Sequence, residues 1–267
     1  MRYDNLNCIL TPPLILIMSM SLFQIRSAFD FQTQPDSIDI WQIPLHTLPD
    51  WAFDLLQVSE QQRAGRFHFP RHQRRFTVAR AMLRALLAHY LKKYPTLLDF
   101  SYNEHGKPYL QSTRQLEFNL SHSGDWALLA VGQQHALGID LEFFSARPYL
   151  GIARHLFSEA EIQTLSQLPR PLRPIGFFNI WAQKEAFIKA VGLGLSYPTK
   201  QFDVPVLPVT RSSIKDHETK KNWQMIPFMP KAACSAALCC HPNVTRFRYY
   251  NLRSLDKFAD TFLRNPL

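Results

Sequence analysis

Cysteine is scarce in this chain, which has four in 267 residues. So few thiols make a disulfide framework improbable, and a reducing cytoplasm fits them best. Three of them precede a histidine, but their spacing matches no standard zinc pattern. We therefore interpret residues 232–240 as a buried strand of small residues rather than a metal cluster. The four cysteines are Cys8, Cys234, Cys239 and Cys240.

Repeats and low-complexity linkers are also missing. With 46% hydrophobic and 13% aromatic residues, the composition is that of a folded globular protein and excludes disorder over most of the chain. The length allows one large core or two modest ones. Two lobes of similar size, divided near residues 132–134, are compatible with it.

Long hydrophobic runs are limited to residues 8–23. This run is short for a membrane span, contains two prolines and shows no clear small-x-small cleavage site. We expect no membrane association. We interpret residues 1–36 as an extension with a mis-assigned start, Met18 or Met20 being the initiator, and expect folded structure from Ser37. A secretory signal is the alternative.

Acidic residues are absent between positions 63 and 93, although the formal net charge of the chain is +9. Such a basic segment suits phosphates or an acidic protein partner. A nucleic-acid-binding protein is a competing interpretation, but no recognised nucleic-acid motif accompanies the segment. The basic residues are Arg63, Arg66, Arg71, Arg74, Arg75, Arg80, Arg84, Lys92 and Lys93.

Hydrophobic periodicity predicts an α+β chain. We expect helices at 54–67, 74–94, 158–168 and 175–191, the third opened by a Ser-x-x-Glu capping box at Ser158 and the last ended by Gly192. Residues 103–108 form a predicted turn. Predicted strands lie at 38–45, 118–121, 126–131, 137–142, 202–206, 223–227, 232–240 and 245–250.

Three acidic residues and one lysine carry the candidate chemistry. Asp140 and Glu142 lie two apart on a predicted strand and therefore share one side of it. Glu185 and Lys189 lie four apart on a predicted helix and share one face. If strand and helix pack together, hard oxygen ligands and a cation converge, which suits Mg²⁺ holding a phosphate ester. Alone, each pair is more often a solvated surface pattern.

Four ordered motifs resemble those of the 4′-phosphopantetheinyl transferases, specifically the long surfactin-synthetase-activating (Sfp) type. The resemblance covers roughly residues 38–242. It implies two pseudo-symmetric α/β lobes in one chain, at 37–133 and 134–250, followed by a tail at 251–267. The motifs are Gly106-Lys107-Pro108, Phe118-Asn119-Leu120-Ser121-His122-Ser123, Gly138-Ile139-Asp140-Leu141-Glu142 and Trp181-x-x-Lys184-Glu185-Ala186-x-x-Lys189.

The resemblance implies an enzyme that moves the phosphopantetheine arm of coenzyme A (CoA) to a serine of an acyl, peptidyl or aryl carrier protein. The other product is adenosine 3′,5′-bisphosphate. Asp140, Glu142 and Glu185 would hold Mg²⁺, with Mn²⁺ as an open alternative. Glu185, or a metal-bound water that it orients, would help to deprotonate the serine, and Lys189 would neutralise charge on the phosphates.

The resemblance also implies CoA contacts, a monomer with its site between the lobes, and no nucleic-acid partner. Glu161 matches an acidic family position near the site, but the capping box explains it equally well. A catalytically silent relative that still binds CoA or carrier proteins is a further alternative. The implied CoA-binding residues are Arg63, Arg75, Lys107, Ser121, His122, Asp140, Lys184 and Lys189.

Overall fold

The computed structural model describes residues 22–24, 29–111, 113, 115–146 and 149–262. Its helices are α1 (Val58–Gly65), α2 (Pro70–Leu91), α3 (Tyr149–Leu156), α4 (Glu159–Gln167), α5 (Arg173–Val191) and α6 (Leu255–Phe262). Its strands are β1 (Ser37–Pro44), β2 (Phe100–Tyr102), β3 (Pro108–Leu110), β4 (Leu116–Ser123), β5 (Trp126–Gln133), β6 (Gly138–Phe143), β7 (Ser212–Lys215), β8 (Asn222–Phe228), β9 (Cys234–Cys240) and β10 (Arg246–Asn251).

The strands form two four-stranded sheets and one small hairpin. The first sheet has the order β10-β1-β5-β4 and the second β6-β9-β8-β7, while β2 pairs with β3. The chain therefore returns to the first sheet at its end, where β10 runs parallel to β1. The prediction that residues 134–250 all belong to the second lobe therefore needs correction at its end, because β10 pairs with β1 in the first sheet.

Alternating side chains on the strands separate three large cores, and a small fourth cluster lies beside α2. On β1, Trp41 and Ile43 face a core with α2, while Ile38 and Ile40 face a core shared by both sheets. On β9, Cys239 belongs to a third core with α5. Helix α2 thus packs on the first sheet and α5 on the second, and residues of both sheets form the core between them. The three cysteines of β9 are buried and unpaired, as the strand interpretation predicts.

The main predicted elements are confirmed within a few residues of their ends. Helix α2 begins at Pro70, which suits a first-turn position because proline has no N–H to satisfy there. Helix α5 ends at Gly192, whose φ of 82° is left-handed. Ser158 forms the predicted capping box with Glu161 at the start of α4.

The predicted strand at 202–206 is wrong. Its main chain is bonded by side chains instead of a neighbouring strand: Val204 N donates to Glu161 Oε1 at 2.8 Å, and Pro205 O accepts from Asn179 and Gln183. The sequence analysis did not predict the short elements β2, β3, β7 and α3. Helix α6, in the predicted tail, packs an apolar side into the first core through Leu255 and Phe258.

The described part of the N-terminal segment packs on the fold, so the expectation that folded structure begins at Ser37 is wrong. Phe23 is buried against Phe228 and Tyr249, and Gln24 bridges to Tyr250 in the first sheet. Phe31 stacks on Trp41. The other predictions for this segment concern Cys8, Met18 and Met20, which lie outside the described residues. Within those residues, none of the helices is long and apolar enough to cross a bilayer.

Candidate functional site between the two sheets

The two sheets meet edge to edge at β4 and β6, the outermost strands of their sheets. Side chains of β4 accept hydrogen bonds from main-chain N–H groups of β6 on the side that does not pair with β9. Ile139 N donates to Asn119 Oδ1 at 2.8 Å, and Phe143 N donates to Ser123 Oγ at 3.1 Å. The predicted acidic residues therefore lie where the lobes join.

Asp140 is the most buried acid at this junction, with 3% of the residue exposed. Its Oδ1 accepts hydrogen bonds from Ser121 Oγ at 2.8 Å and from Lys189 Nζ at 2.5 Å. Its Oδ2 is buried and has no partner among the described residues. A buried carboxylate oxygen without a partner is costly unless a cation approaches it.

Glu142 is fixed at both oxygens by neighbouring side chains. Trp181 Nε1 donates to Oε1 at 3.2 Å, and Ser123 Oγ donates to Oε2 at 3.3 Å. The indole belongs to α5 and the hydroxyl to β4, so both lobes orient this carboxylate. The resemblance quoted Trp181 and Ser123 within motifs, but sequence reasoning assigned neither of them a role.

Glu185 and Lys189 lie on the face of α5 that meets β6, as their spacing predicts. Burial raises the pKa of Glu185, and the charges of Asp140 and Glu142 raise it further, while Lys189 opposes them. The structure thus brings together the three predicted carboxylates and the ammonium.

No group of three or more His, Cys, Asp or Glu side chains in the described residues is already arranged to hold a metal ion. At Asp140, the ammonium of Lys189 contacts Oδ1.

Gly138 lets β6 and α5 approach closely. A Cβ atom at this position would lie 2.1 Å from Ala186 O and 2.3 Å from Ala190 N. Any side chain would therefore push the strand carrying Asp140 away from the helix carrying Lys189. Sequence reasoning noted the glycine but not this contact.

A basic rim borders the acidic group. His122 is exposed at the end of β4, yet protein atoms around its ring partly desolvate it, and this lowers its pKa. The positive charges of Lys189 and Arg75 lower that pKa further. Asp125 Oδ1 holds Arg75 Nε at 2.8 Å. The structure therefore brings three predicted CoA-binding residues, His122, Arg75 and Lys189, to one place.

A cleft of about 300 Å³ extends from Glu185 and Lys189 along the turn between β2 and β3. Its wall includes His105, Lys107, Asn119, Glu185, Lys189 and Gly192.

Lys107 and Asn103 connect that turn to the end of α5. Lys107 Nζ donates to Leu137 O at 3.2 Å and to Ala190 O at 3.0 Å, and Asn103 Nδ2 donates to Gly192 O at 2.7 Å. Burial lowers the pKa of Lys107. The predicted CoA residue Lys107 thus reaches the cleft wall, with its ammonium on main-chain carbonyls.

Two family models match the chain side by side. One, "4'-phosphopantetheinyl transferase, N-terminal", matches residues 41–134, and the other, "4'-phosphopantetheinyl transferase superfamily", matches residues 136–237. The 4′-phosphopantetheinyl transferase HetI of Nostoc sp. (strain PCC 7120) is 35% identical over 210 residues, which cover 76% of this chain and 87% of the relative. The chain belongs to the 4′-phosphopantetheinyl transferase superfamily.

Further relatives of this transferase come from distant organisms. The 4′-phosphopantetheinyl transferase Sfp of Bacillus subtilis (strain 168) is 28% identical over 199 residues, covering 72% of this chain and 88% of the relative. The L-aminoadipate-semialdehyde dehydrogenase-phosphopantetheinyl transferase of Mus musculus is 27% identical over 224 residues, which cover 76% of this chain and 70% of the relative. The Sfp-type resemblance, the α+β fold and the enzyme class are confirmed.

Two further predicted contact residues of the transferase lie outside the acidic group. Lys184 is 3% exposed, and its Nζ contacts Glu161 Oε2, Thr199 O and Phe202 O at 3.0, 2.7 and 2.9 Å. These three partners occupy all of its N–H groups, so the structure does not support its predicted CoA contact. Arg63 lies over the ring of Phe76, 5.2 Å from its centroid, beside a shallow cavity of α1.

The basic segment of the transferase is partly neutralised within the fold. Glu60 pairs with both Arg80 and Arg84, and Asp125 pairs with both Arg74 and Arg75. The segment is therefore not a continuous free stripe for a nucleic-acid backbone.

Proposed function

We propose that this transferase moves the 4′-phosphopantetheine arm of CoA to a serine of an apo carrier protein and releases adenosine 3′,5′-bisphosphate. One observation carries the proposal: Asp140, with a bare buried oxygen, lies beside Lys189 and Glu185 at the junction of the lobes. The names of the relatives support the same transfer.

Asp140, Glu142 and Glu185 would hold Mg²⁺ or Mn²⁺. Their fit rests on the unpartnered Oδ2 of Asp140 and on the raised pKa of Glu185, since both mark negative charge that the protein itself leaves uncompensated. All donors are hard carboxylate oxygens, which both ions accept. When bound, the ion supplies charge neutralisation on the pyrophosphate of CoA.

The protein's own residues would divide the remaining work. Glu185 takes the proton of the serine hydroxyl, and the serine oxygen attacks the β-phosphorus of CoA in line. The bond from that phosphorus to the oxygen bridging to the α-phosphate breaks. Lys189, as a compact charge, stabilises the negative charge that gathers on the leaving group.

The remaining contacts to CoA would come from the basic rim beside the acidic group. Arg75 on α2 and His122 on β4, together with Arg63 on α1, would supply positive charge or donors for its phosphates, and Ser121 orients Lys189 through a 2.9 Å hydrogen bond. An acidic carrier protein would be attracted to the same basic side. We expect a monomer, because one chain supplies both sides of the site, and a cytoplasmic location.

The test is mass spectrometry of an apo carrier protein incubated with this protein, CoA and Mg²⁺. We expect a mass gain of one phosphopantetheine arm and its loss with EDTA. Asp140→Ala should abolish the gain and leave the fold intact, while Asp256→Ala, an exposed acid of α6, should transfer normally. Full activity of Asp140→Ala would refute the site assignment. A folded protein that modifies none of several carriers would refute the function.

A further inference from the structure

Three alternate side chains of β4 reach across to β6. Asn119 Oδ1 accepts from Ile139 N, Ser121 Oγ donates to Asp140 Oδ1, and Ser123 Oγ accepts from Phe143 N. Their spacing of two places them on one side of the strand. Because β4 and β6 belong to different sheets, these side chains replace a main-chain ladder between the two edges.

Ser123 makes two of these connections with one hydroxyl. Its oxygen accepts from Phe143 N at 3.1 Å, and its proton goes to Glu142 Oε2 at 3.3 Å. The other oxygen of that carboxylate is held by Trp181 Nε1. Ser123 is therefore a contact through which the first lobe orients an acid that the second lobe carries.

We propose that Ser123 is a positioning residue that acts through Glu142. The inference rests on the proposed function, in which Glu142 is a ligand of the divalent ion. Without the hydroxyl, the N–H of Phe143 loses its partner and Oε2 of Glu142 loses the donor that Ser123 supplies. Loss of an outer-shell hydrogen bond to a metal ligand weakens ion binding, because the ligand is oriented less firmly before the ion arrives.

The test is Mn²⁺ binding to the whole protein, followed by electron paramagnetic resonance, in Ser123→Ala and Ser123→Thr. We expect Ser123→Ala to raise the dissociation constant about tenfold. Ser123→Thr keeps the hydroxyl and should stay near the wild-type value. The Mg²⁺ concentration for half-maximal transfer should rise in parallel for Ser123→Ala, with a smaller change in kcat at saturating Mg²⁺.

Ser235→Ala is the matched control. Ser235 pairs with Glu142 across β9 and β6 and is 1% exposed. Its Oγ has no partner among the described residues. Removing that hydroxyl should leave Mn²⁺ binding unchanged. If Ser123→Ala proves too unstable to measure, Ser123→Cys keeps the volume with a weaker donor and should bind Mn²⁺ less tightly than Ser123→Thr.

The outcomes separate this inference from the proposed function. Wild-type binding of Mn²⁺ that Asp140→Ala abolishes supports the proposed site. In that case, unchanged binding in Ser123→Ala, or equal losses in Ser123→Ala and Ser123→Thr, would overturn the role of Ser123. If the wild-type protein does not bind Mn²⁺, or Asp140→Ala binds it equally well, the metal site of the proposed function fails, and this inference with it.

Discussion

Gly138 is a residue at which β6 lies directly against the main chain of α5. We predict that Gly138→Ala lowers the free energy of unfolding by about 3 kcal/mol, because the new methyl group would meet the main chain of Ala186 and Ala190 rather than a side chain that can turn away. Urea unfolding measures the change. Gly151→Ala in α3 is the control, since a Cβ there meets nothing within 4 Å and alanine favours helix. Equal stability of the two variants would contradict the close approach.

Single residues also show what sequence could and could not assign in the site. The spacings of two and four place Asp140 with Glu142 and Glu185 with Lys189, the family resemblance singles them out as site residues, and the structure brings them together. Lys184 lies beside Glu185 in sequence, yet it is buried on Glu161. Which lysine meets the cleft depends on the partner that each side of α5 finds, and sequence spacing does not contain that information.

At the scale of elements, the turn between β2 and β3 holds the C-terminal end of α5. We predict that Asn103→Ala speeds amide hydrogen exchange at residues 189–192 and costs about 1 kcal/mol of stability, because Gly192 O loses its donor and the turn loses the acceptor for His105 N and Lys107 N. The neighbouring exposed Glu104→Ala is the control. Unchanged exchange in Asn103→Ala would show that α5 ends independently of the turn.

Helices α1 and α2 are joined by Glu60, whose Oε2 accepts from Arg84 Nε at 2.6 Å. Burial alone would raise the pKa of Glu60, but Arg84 and Arg80 outweigh burial and lower the pKa below 4.5. The pair therefore stabilises the fold above pH 4.5, and this stability is lost as the pH falls through the lower, folded-state pKa.

We predict that Glu60→Gln costs about 3 kcal/mol at pH 7, because Arg84 is 0% exposed and would be left as an uncompensated charge. The difference from the wild type should shrink below pH 4.5. Thermal unfolding at several pH values measures it, with the exposed Glu159→Gln as control. A difference that does not vary with pH would contradict this ion pair.

Element prediction succeeded where local sequence signals were strong and failed where partners decide. Helix α5 is predicted by its helix-favouring residues and terminal glycine, and strands β5 and β9 by short continuous runs of apolar or small residues. Strands β2 and β3 have three residues each, too few for a period. The apolar run at 202–206 has the composition of a strand, but Glu161, Asn179 and Gln183 take the main-chain bonds that a neighbouring strand would have used.

At the scale of the whole molecule, the segment before β1 belongs to the fold. We predict that Phe31→Ala costs about 2 kcal/mol, because its ring packs on Trp41, His89 and Tyr90. Phe53→Ala, at a position 43% exposed, should cost much less. Thermal unfolding compares them, and a Phe31→Ala variant as stable as Phe53→Ala would mean that the segment only rests on the surface.

The parallel pairing of β10 with β1 makes the first lobe discontinuous along the chain. The second lobe is an insertion between β5 and β10, so a gene cut near position 134 does not yield two complete halves. The upstream fragment would lack β10 and leave one edge of β1 open, which is a template for association with other chains. A break anywhere between β5 and β10 leaves the same edge of β1 open, so a split-protein reporter built on this scaffold keeps the first sheet in one fragment only if its break follows β10.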